Sequence, residues 1–422
     1  MTRRVLVEKL PVAPAADDVM SLSPEHALRE HISTETVRRC TEAYGEALTA
    51  IILTGSLARD EATFVREGSK WQVLGDAEFL LVFQSRAKLP AAASVREVSE
   101  SIQDALAAQD LTCKTTLGTV GPDYLRKMEP SIFGYELKVC GRVVWGRQDV
   151  LSLIPPFSPN DIPLEDAWQM LCNRMIELLE VVLESNPCEP PSAELHYRTA
   201  KLYLDMATSF LVFVERYVPT YRGRAAKLST FAEAAADFES APIPLREFSR
   251  YVTACTHWKL GSAEAGPPQT WDFWRLAVSH AERLWRWETA CLTDVPPDSE
   301  LSHLWQRRMS LQPAIQRLRG WFYLVREGGW RRSRSRWTSW FRRAWTASPR
   351  YWTYSAATQI VFLLPDLVSQ DGAKELQNGE SLDFEAWLPY ARRKTEQSSP
   401  SWKPLAADIV RHYQDFLVGT RS

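Results

Sequence analysis

The chain reads as an α+β protein: a mixed sheet with flanking helices in its first third, followed by a large all-α region. Three observations predict this. Two apolar runs, Ala50-Ile51-Ile52-Leu53 and Phe79-Leu80-Leu81-Val82-Phe83, have strand length, are rich in β-branched and aromatic residues, and end in turn signals. After residue 160 strand signals nearly vanish and apolar residues recur at helical spacing, as in 165–184, where Trp168, Leu171, Cys172, Met175, Leu178, Leu179 and Val182 share one face. At 422 residues the chain is also too long for one compact core.

In chain order, 1–24 is rich in Pro, Ala and Asp and predicts no regular element. Residues 34–48 have helical spacing, with Ser33 or Thr34 as N-cap. The first strand follows and stops at Gly55-Ser56, where a helix can open. Between Phe64 and Leu74, Gly68 separates two alternating runs and predicts a hairpin. A helix near 94–109, a strand near 111–120 and a short helix at 123–128 come next. Phe133 to Val139 alternates and predicts a further strand carrying Glu136, and Val143-Val144-Trp145 ends the mixed region. Gly146 and prolines 155, 156 and 159 mark a boundary. Later helices fit 193–217, 229–239, 243–259, 269–291, 299–325, 330–346, 352–368 and 402–418. The expected division is an N-terminal segment at 1–33, a mixed domain at 34–150, a helical domain at 160–310 and a C-terminal helical region at 311–422.

The chemistry starts from Asp76 and Glu78. In a strand, side chains two apart point the same way, so both carboxylates lie on one face at the start of a buried run. Like charges there repel and are costly to desolvate, and a divalent cation with a preference for oxygen, such as magnesium, relieves both problems. Gly55 lets backbone approach a ligand closely, Ser56 adds a hydroxyl, and amides at a helix start favour phosphate. Arg59 is placed to reach a phosphate, or to stand solvated on the surface.

The order strand, Gly-Ser, short helix, then Asp-x-Glu on the next strand resembles the nucleotidyltransferase superfamily. The run Gly55-Ser56-Leu57-Ala58-Arg59 is most similar to its minimal branch, which includes antibiotic-modifying nucleotidyltransferases. The spacing from Gly55 to Asp76 exceeds the family pattern, and the hairpin accounts for the excess. The resemblance covers 34–146 and, loosely, 160–224. It implies a nucleotidyltransferase-type sheet and a third carboxylate on a later strand, for which Glu136 is the candidate. It also implies transfer of a nucleoside monophosphate, AMP from ATP as the working donor, to a hydroxyl acceptor with loss of pyrophosphate. Two magnesium ions about 3.5–4 Å apart would then clamp the attacking and leaving oxygens. Asp76, Glu78 and Glu136 would hold them, with Glu136 also accepting the acceptor's proton. Helices behind the sheet in this family offer a lysine or tyrosine to the nucleotide. Lys201 is the candidate for phosphate, with a Lys201–Asp205 surface pair as the competing explanation. Tyr221 is the candidate for base stacking, against a packing role. The acceptor stays open, and two alternatives stand beside the enzyme: a catalytically silent nucleotide-binding scaffold or regulatory protein, and an RNA-tailing enzyme.

Composition narrows the rest. The net charge of −2 gives no whole-chain bias toward nucleic acid. Seven cysteines without a C-x-x-C pair argue against a disulfide framework or structural zinc and predict free thiols in a reducing cytosol, hence a cytoplasmic protein. No run predicts a signal peptide or a transmembrane segment. P-loop, H-E-x-x-H and G-x-S-x-G motifs are absent. Residues 326–352 hold eight arginines, five tryptophans and one acid, Glu327. They fit a core helix with a basic outer face, a surface for an anionic acceptor or RNA, or an interfacial membrane helix.

Overall fold

The computed structural model describes residues 24–85, 87–234, 241–261, 266–328, 343–368 and 402–420. The expectation for 1–23 and most of the helix expected at 330–346 lie outside the described residues. The chain is an α+β protein with a mixed five-stranded sheet and a large helical region.

Helix α1 (Pro24–Tyr44) starts earlier than its sequence signal, so Ser33 and Thr34 are interior residues and not caps. β1 (Leu48–Thr54), the β2–β3 hairpin (Thr63–Glu67 and Lys70–Phe83) and β4 (Leu111–Val120) follow, with α2 (Gly55–Ala58) after β1 and α3 (Ala92–Ala107) before β4. Gly68, at φ 62°, makes the hairpin turn as its sequence implied. After α4 (Pro122–Arg126) comes a correction: Glu136 lies on a helix, α5 (Ile132–Cys140), not on a strand. Ser131 caps it by accepting from Gly134 N–H at 3.0 Å, and the Asp166 carboxylate accepts from Ile132 N–H at 2.7 Å. A cap and an anion at the helix start outweigh the β-prone composition. β5 (Arg142–Gly146) returns to pair with β1.

The sheet order is β2-β3-β1-β5, with β4 parallel to β3. Because β4 runs beside most of β3, β1 and β2 share the opposite edge: β2 pairs with residues 70–74 and β1 with residues 78–83. The chain between β1 and β2, carrying Gly55 and Ser56, therefore leaves the sheet level with 75–77. The β4 register shifts there too, and Gly75 has φ 111°.

The two sheet faces bury different cores. Ile51, Leu53, Ala77, Phe79 and Leu81 pack with Ile32, Ile102 and Leu106 of α1 and α3. Ala50, Ile52, Leu80 and Val82 pack with Leu125 and Leu137 of α4 and α5. By alternation, Asp76 and Glu78 share the face of Leu80 and Val82.

The helical region comprises α6 (Leu164–Glu184), α7 (Ala193–Phe213), α8 (Tyr221–Ala234), α9 (Leu245–Lys259), α10 (Trp271–Thr293), α11 (Leu301–Ser310), α12 (Ala314–Gly328), α13 (Pro349–Leu367) and α14 (Trp402–Thr420). The expected 299–325 helix is broken at Pro313 into α11 and α12, and the 229–239 helix begins at Tyr221. Most of these helices contribute to one core, centred on Trp168, Trp285, Trp305, Tyr351 and Tyr354. The tryptophan excess is thus partly core packing. Among the described residues, no helix is long and apolar enough to cross a membrane.

Candidate functional site

Gly55 has φ 67°, a conformation glycine adopts without strain. A Cβ there would lie 2.6 Å from Oε2 of Glu78. Thr54 pairs with Glu78 across the β1–β3 ladder, so the register sets that contact. Ser56 follows in the four-residue helix α2, and among the described residues its hydroxyl has no hydrogen-bond partner. Gly55, Ser56 and the Asp76/Glu78 pair are therefore brought together where the sheet opens.

Glu78 is exposed and Asp76 half-buried. Asp76 accepts from Thr116 Oγ1 at 3.0 Å and pairs with Lys114 Nζ at 3.3 Å. In the parallel register Lys114 stands level with Asp76, and Thr116 with Glu78. The neighbouring strand thus presents a cation and a hydroxyl beside the two acids.

Glu136 does not complete an acidic triad. One of its oxygens accepts from Arg59, and the other from Tyr217 at 2.7 Å and from Arg224. Among the described residues no three His, Cys, Asp or Glu side chains form a group that could hold a metal. Two arginines with buried side chains, Arg59 and Arg224, already neutralise Glu136. Asp76 and Glu78 alone supply hard oxygen donors on one face, a set that suits a divalent ion completed by ligand oxygens.

Arg59 is likewise engaged. It pairs with Glu61 at 3.3 Å and with Glu136 and lies over the Tyr221 ring at 5.3 Å. Glu61 in turn accepts from the amides of Tyr221 and Arg222 at 2.9 and 3.1 Å, so a carboxylate from the sheet side neutralises the start of α8. Arg224 donates to Thr208 Oγ1, the Val218 and Pro219 carbonyls and Tyr217. The Tyr221 ring is buried among Arg59, Arg224 and Lys259, the last two at 5.1 and 5.6 Å. Burial raises its hydroxyl to about 12.

Lys201 does not pair with Asp205, which is held by Arg174 at 2.5 Å. Its ammonium lies over the ring of Tyr197, one turn earlier on α7, at 5.7 Å. Lys259, which sequence reasoning missed, lies over the same ring at 5.5 Å and donates to Thr63 Oγ1 at 3.2 Å. Nothing in the local sequence marks Lys259, since a basic residue in a last helical turn is common. The arginines around these lysines all have carboxylates: Arg174 has Glu177 and Asp205, and Arg198 has Glu177 and Glu194. Among the described residues neither lysine has one. Burial first, then neighbouring cations, lower Lys201 to about 8 and Lys259 to about 7.

Tyr197 ties this basic interior to the sheet. Its hydroxyl donates to Leu74 O at 3.2 Å and would lie 3.3 Å from a Cβ on Gly75, the residue before Asp76.

No protein-family model matches the sequence, and no curated protein matches it by sequence. Among solved structures, the chain is similar to spectinomycin adenyltransferase AAD(9) from Enterococcus faecialis, determined with ATP and spectinomycin. The identity is 12% and the TM-score 0.36, over 60% of this chain and 98% of that one.

Proposed function

We propose that this chain binds a metal-complexed nucleoside triphosphate where β3 meets α7 and α9, and transfers its nucleoside monophosphate to a hydroxyl acceptor. The observation that carries the reading is the pair of lysines, buried Lys259 and partly buried Lys201, without carboxylate partners among the described residues, in a region where every neighbouring arginine has one. Unneutralised buried cations are costly, and an anionic ligand offsets that cost. Two carboxylates on one strand face, Asp76 and Glu78, offer hard oxygen donors to a divalent cation. A polyphosphate with a divalent cation satisfies both demands, and a nucleoside triphosphate with magnesium is such a ligand.

In this reading Lys201 and Lys259 hold phosphate oxygens, Gly55 leaves room beside Glu78, and Ser56 donates to the phosphate. Asp76 and Glu78 would hold one magnesium ion, which when bound would offset charge on the phosphates. Glu136 is not offered as a second-ion ligand or as a base, because both of its oxygens are engaged, by Arg59 on one side and by Tyr217 and Arg224 on the other.

One observation favours a second reading, nucleotide binding without turnover. Asp76 already has Lys114 and Thr116 as partners, and β4 presents no acid level with Asp76 or Glu78. Incubation with ATP, magnesium and a panel of hydroxyl acceptors, including aminoglycosides and RNA 3′ ends, separates the two. Pyrophosphate release that Asp76→Asn abolishes supports transfer. Magnesium-dependent ATP binding with no pyrophosphate supports the silent reading. Absence of magnesium-dependent ATP binding overturns both.

A further inference from the structure

Helix α12 carries an outward apolar stripe that the proposed nucleotide site does not use. Leu311 precedes Pro313 in the turn before the helix, and within the helix Ile315, Leu318 and Phe322 recur at i, i+3 and i+7 and so share one side. They are 43%, 76%, 61% and 61% exposed. The opposite side is firmly seated. Gly320 is buried, with space for a Cβ closed by Pro349 Cδ at 3.0 Å, and Trp321 Nε1 donates to Ala347 O at 2.8 Å. The stripe cannot turn inward without breaking those contacts.

Charge borders the stripe. Arg319 and Arg326 are exposed and both lie over the Tyr323 ring, at 5.6 and 5.0 Å. At 100° per residue they fall on the helix side adjoining Leu318 and Phe322. Arg317 donates to the carbonyl of Trp345, whose own side chain is 71% exposed. In sequence, 329–342 adds five arginines and no acid. An apolar helix side edged by arginine, with a tryptophan alongside, matches the chemistry of a helix lying in the headgroup layer of an anionic bilayer.

We propose that α12 docks this chain on an anionic lipid surface, with Leu311, Ile315, Leu318 and Phe322 entering the interface and Arg319 and Arg326 meeting lipid phosphates. The test is sedimentation of the full chain with phosphatidylcholine vesicles and with vesicles of phosphatidylcholine mixed with phosphatidylglycerol. The expected result is binding on the order of tenfold stronger to the mixed vesicles, weakened by salt. Ile315→Asp with Phe322→Asp abolishes it, and Arg319→Ala with Arg326→Ala weakens it. All four side chains are exposed, so both variants keep the parent's unfolding temperature. Equal sedimentation of the Asp variant, or no binding to either vesicle, overturns the proposal. A dimer in light scattering that the Asp variant turns into a monomer also overturns it, and assigns the stripe to a second copy. An acidic peptide bound in place of the mixed vesicles does the same in favour of a protein partner.

Discussion

The Glu78 carboxylate occupies the space that any side chain at residue 55 would need, with Oε2 2.6 Å from the position of a Cβ on Gly55. Gly55→Ala would push that carboxylate aside and hold a non-glycine residue at φ 67°. The expected cost is about 1–2 kcal/mol of stability from the left-handed backbone. Affinity for magnesium-ATP should fall about tenfold or more, because the displaced acid no longer lies beside Asp76. Calorimetric titration of a variant that stays folded checks this. Unchanged affinity would remove Gly55 and Glu78 from the site.

Asp76 and Glu136 should separate cleanly. Asp76→Asn removes a half-exposed acid paired with an exposed lysine, so stability should change by no more than about 1 kcal/mol while magnesium-dependent ATP binding disappears. Glu136→Gln leaves buried Arg59 and Arg224 short of their counter-charge. It should cost about 3–5 kcal/mol and leave the magnesium dependence of any residual binding intact. Chemical denaturation alongside calorimetry reads both. A Glu136→Gln protein of parental stability that has lost magnesium dependence would restore Glu136 as a metal ligand.

Lys201 and Lys259 make nucleotide binding pH-sensitive. Their ammonium groups, lowered to about 8 and about 7, must be protonated to hold phosphate. Binding is therefore coupled to proton uptake above those values, and ATP affinity should fall by up to about tenfold per lysine for each pH unit above them. Lys259→Met should weaken ATP and tripolyphosphate binding at pH 6 and flatten the decline between pH 7 and 8. It should also stabilise the ligand-free protein at pH 6, since a buried charge is replaced by an apolar chain of similar length. Tripolyphosphate binding unaltered by Lys259→Met would detach this lysine from the phosphates.

Local patterns in the sequence announced the sheet and most helices. The β2–β3 hairpin was legible because Gly68 separates two period-two runs, and α6 because its apolar side repeats every three to four residues. The strand expected around Glu136 failed because Ile132, Phe133, Tyr135 and Val139 are β-prone, whereas the helix is fixed by Ser131 and by Asp166 from a distant part of the chain. The Ser131 cap was readable, but the Asp166 contact was not. Asp76, Glu78, Gly55 and Ser56 converge because strand pairing brings them together, and pairing partners could be read from the runs. Lys259 could not be found in advance. Its significance comes from sharing the Tyr197 ring with Lys201, a contact between residues more than fifty positions apart. Arg59 looked available for phosphate, and Tyr221 for a base. Both are taken up by partners that only the packed helices bring close.

Glu288 sets a stability trend of its own. It is fully buried on α10, and among the described residues neither carboxylate oxygen has a geometrically formed hydrogen bond; the Ser209 hydroxyl beside it on α7 also lacks one. Burial, only partly offset by Ser209, raises its carboxyl to about 8. The folded protein therefore keeps a proton that the unfolded chain releases above its ordinary value of 4.5. From there up to pH 8 the unfolded state binds fewer protons, so stability falls as pH rises, by up to about 1.4 kcal/mol per pH unit. Lys201 and Lys259 act in the opposite direction, their folded values being lowered, but only from about pH 7 upward. Buried His196 and His280, whose values burial lowers, also oppose Glu288 between pH 5 and 7, so Glu288 is read from the difference between parent and variant across that window. Glu288→Gln keeps the shape and removes the titration, so the decline across that window should flatten. Because its buried amide would still lack full partners, the net gain at pH 7 should be about 1–3 kcal/mol. Urea denaturation of parent and variant at pH 5, 6 and 7 reads this, and parallel declines would mean that Glu288 is ionised in the folded protein.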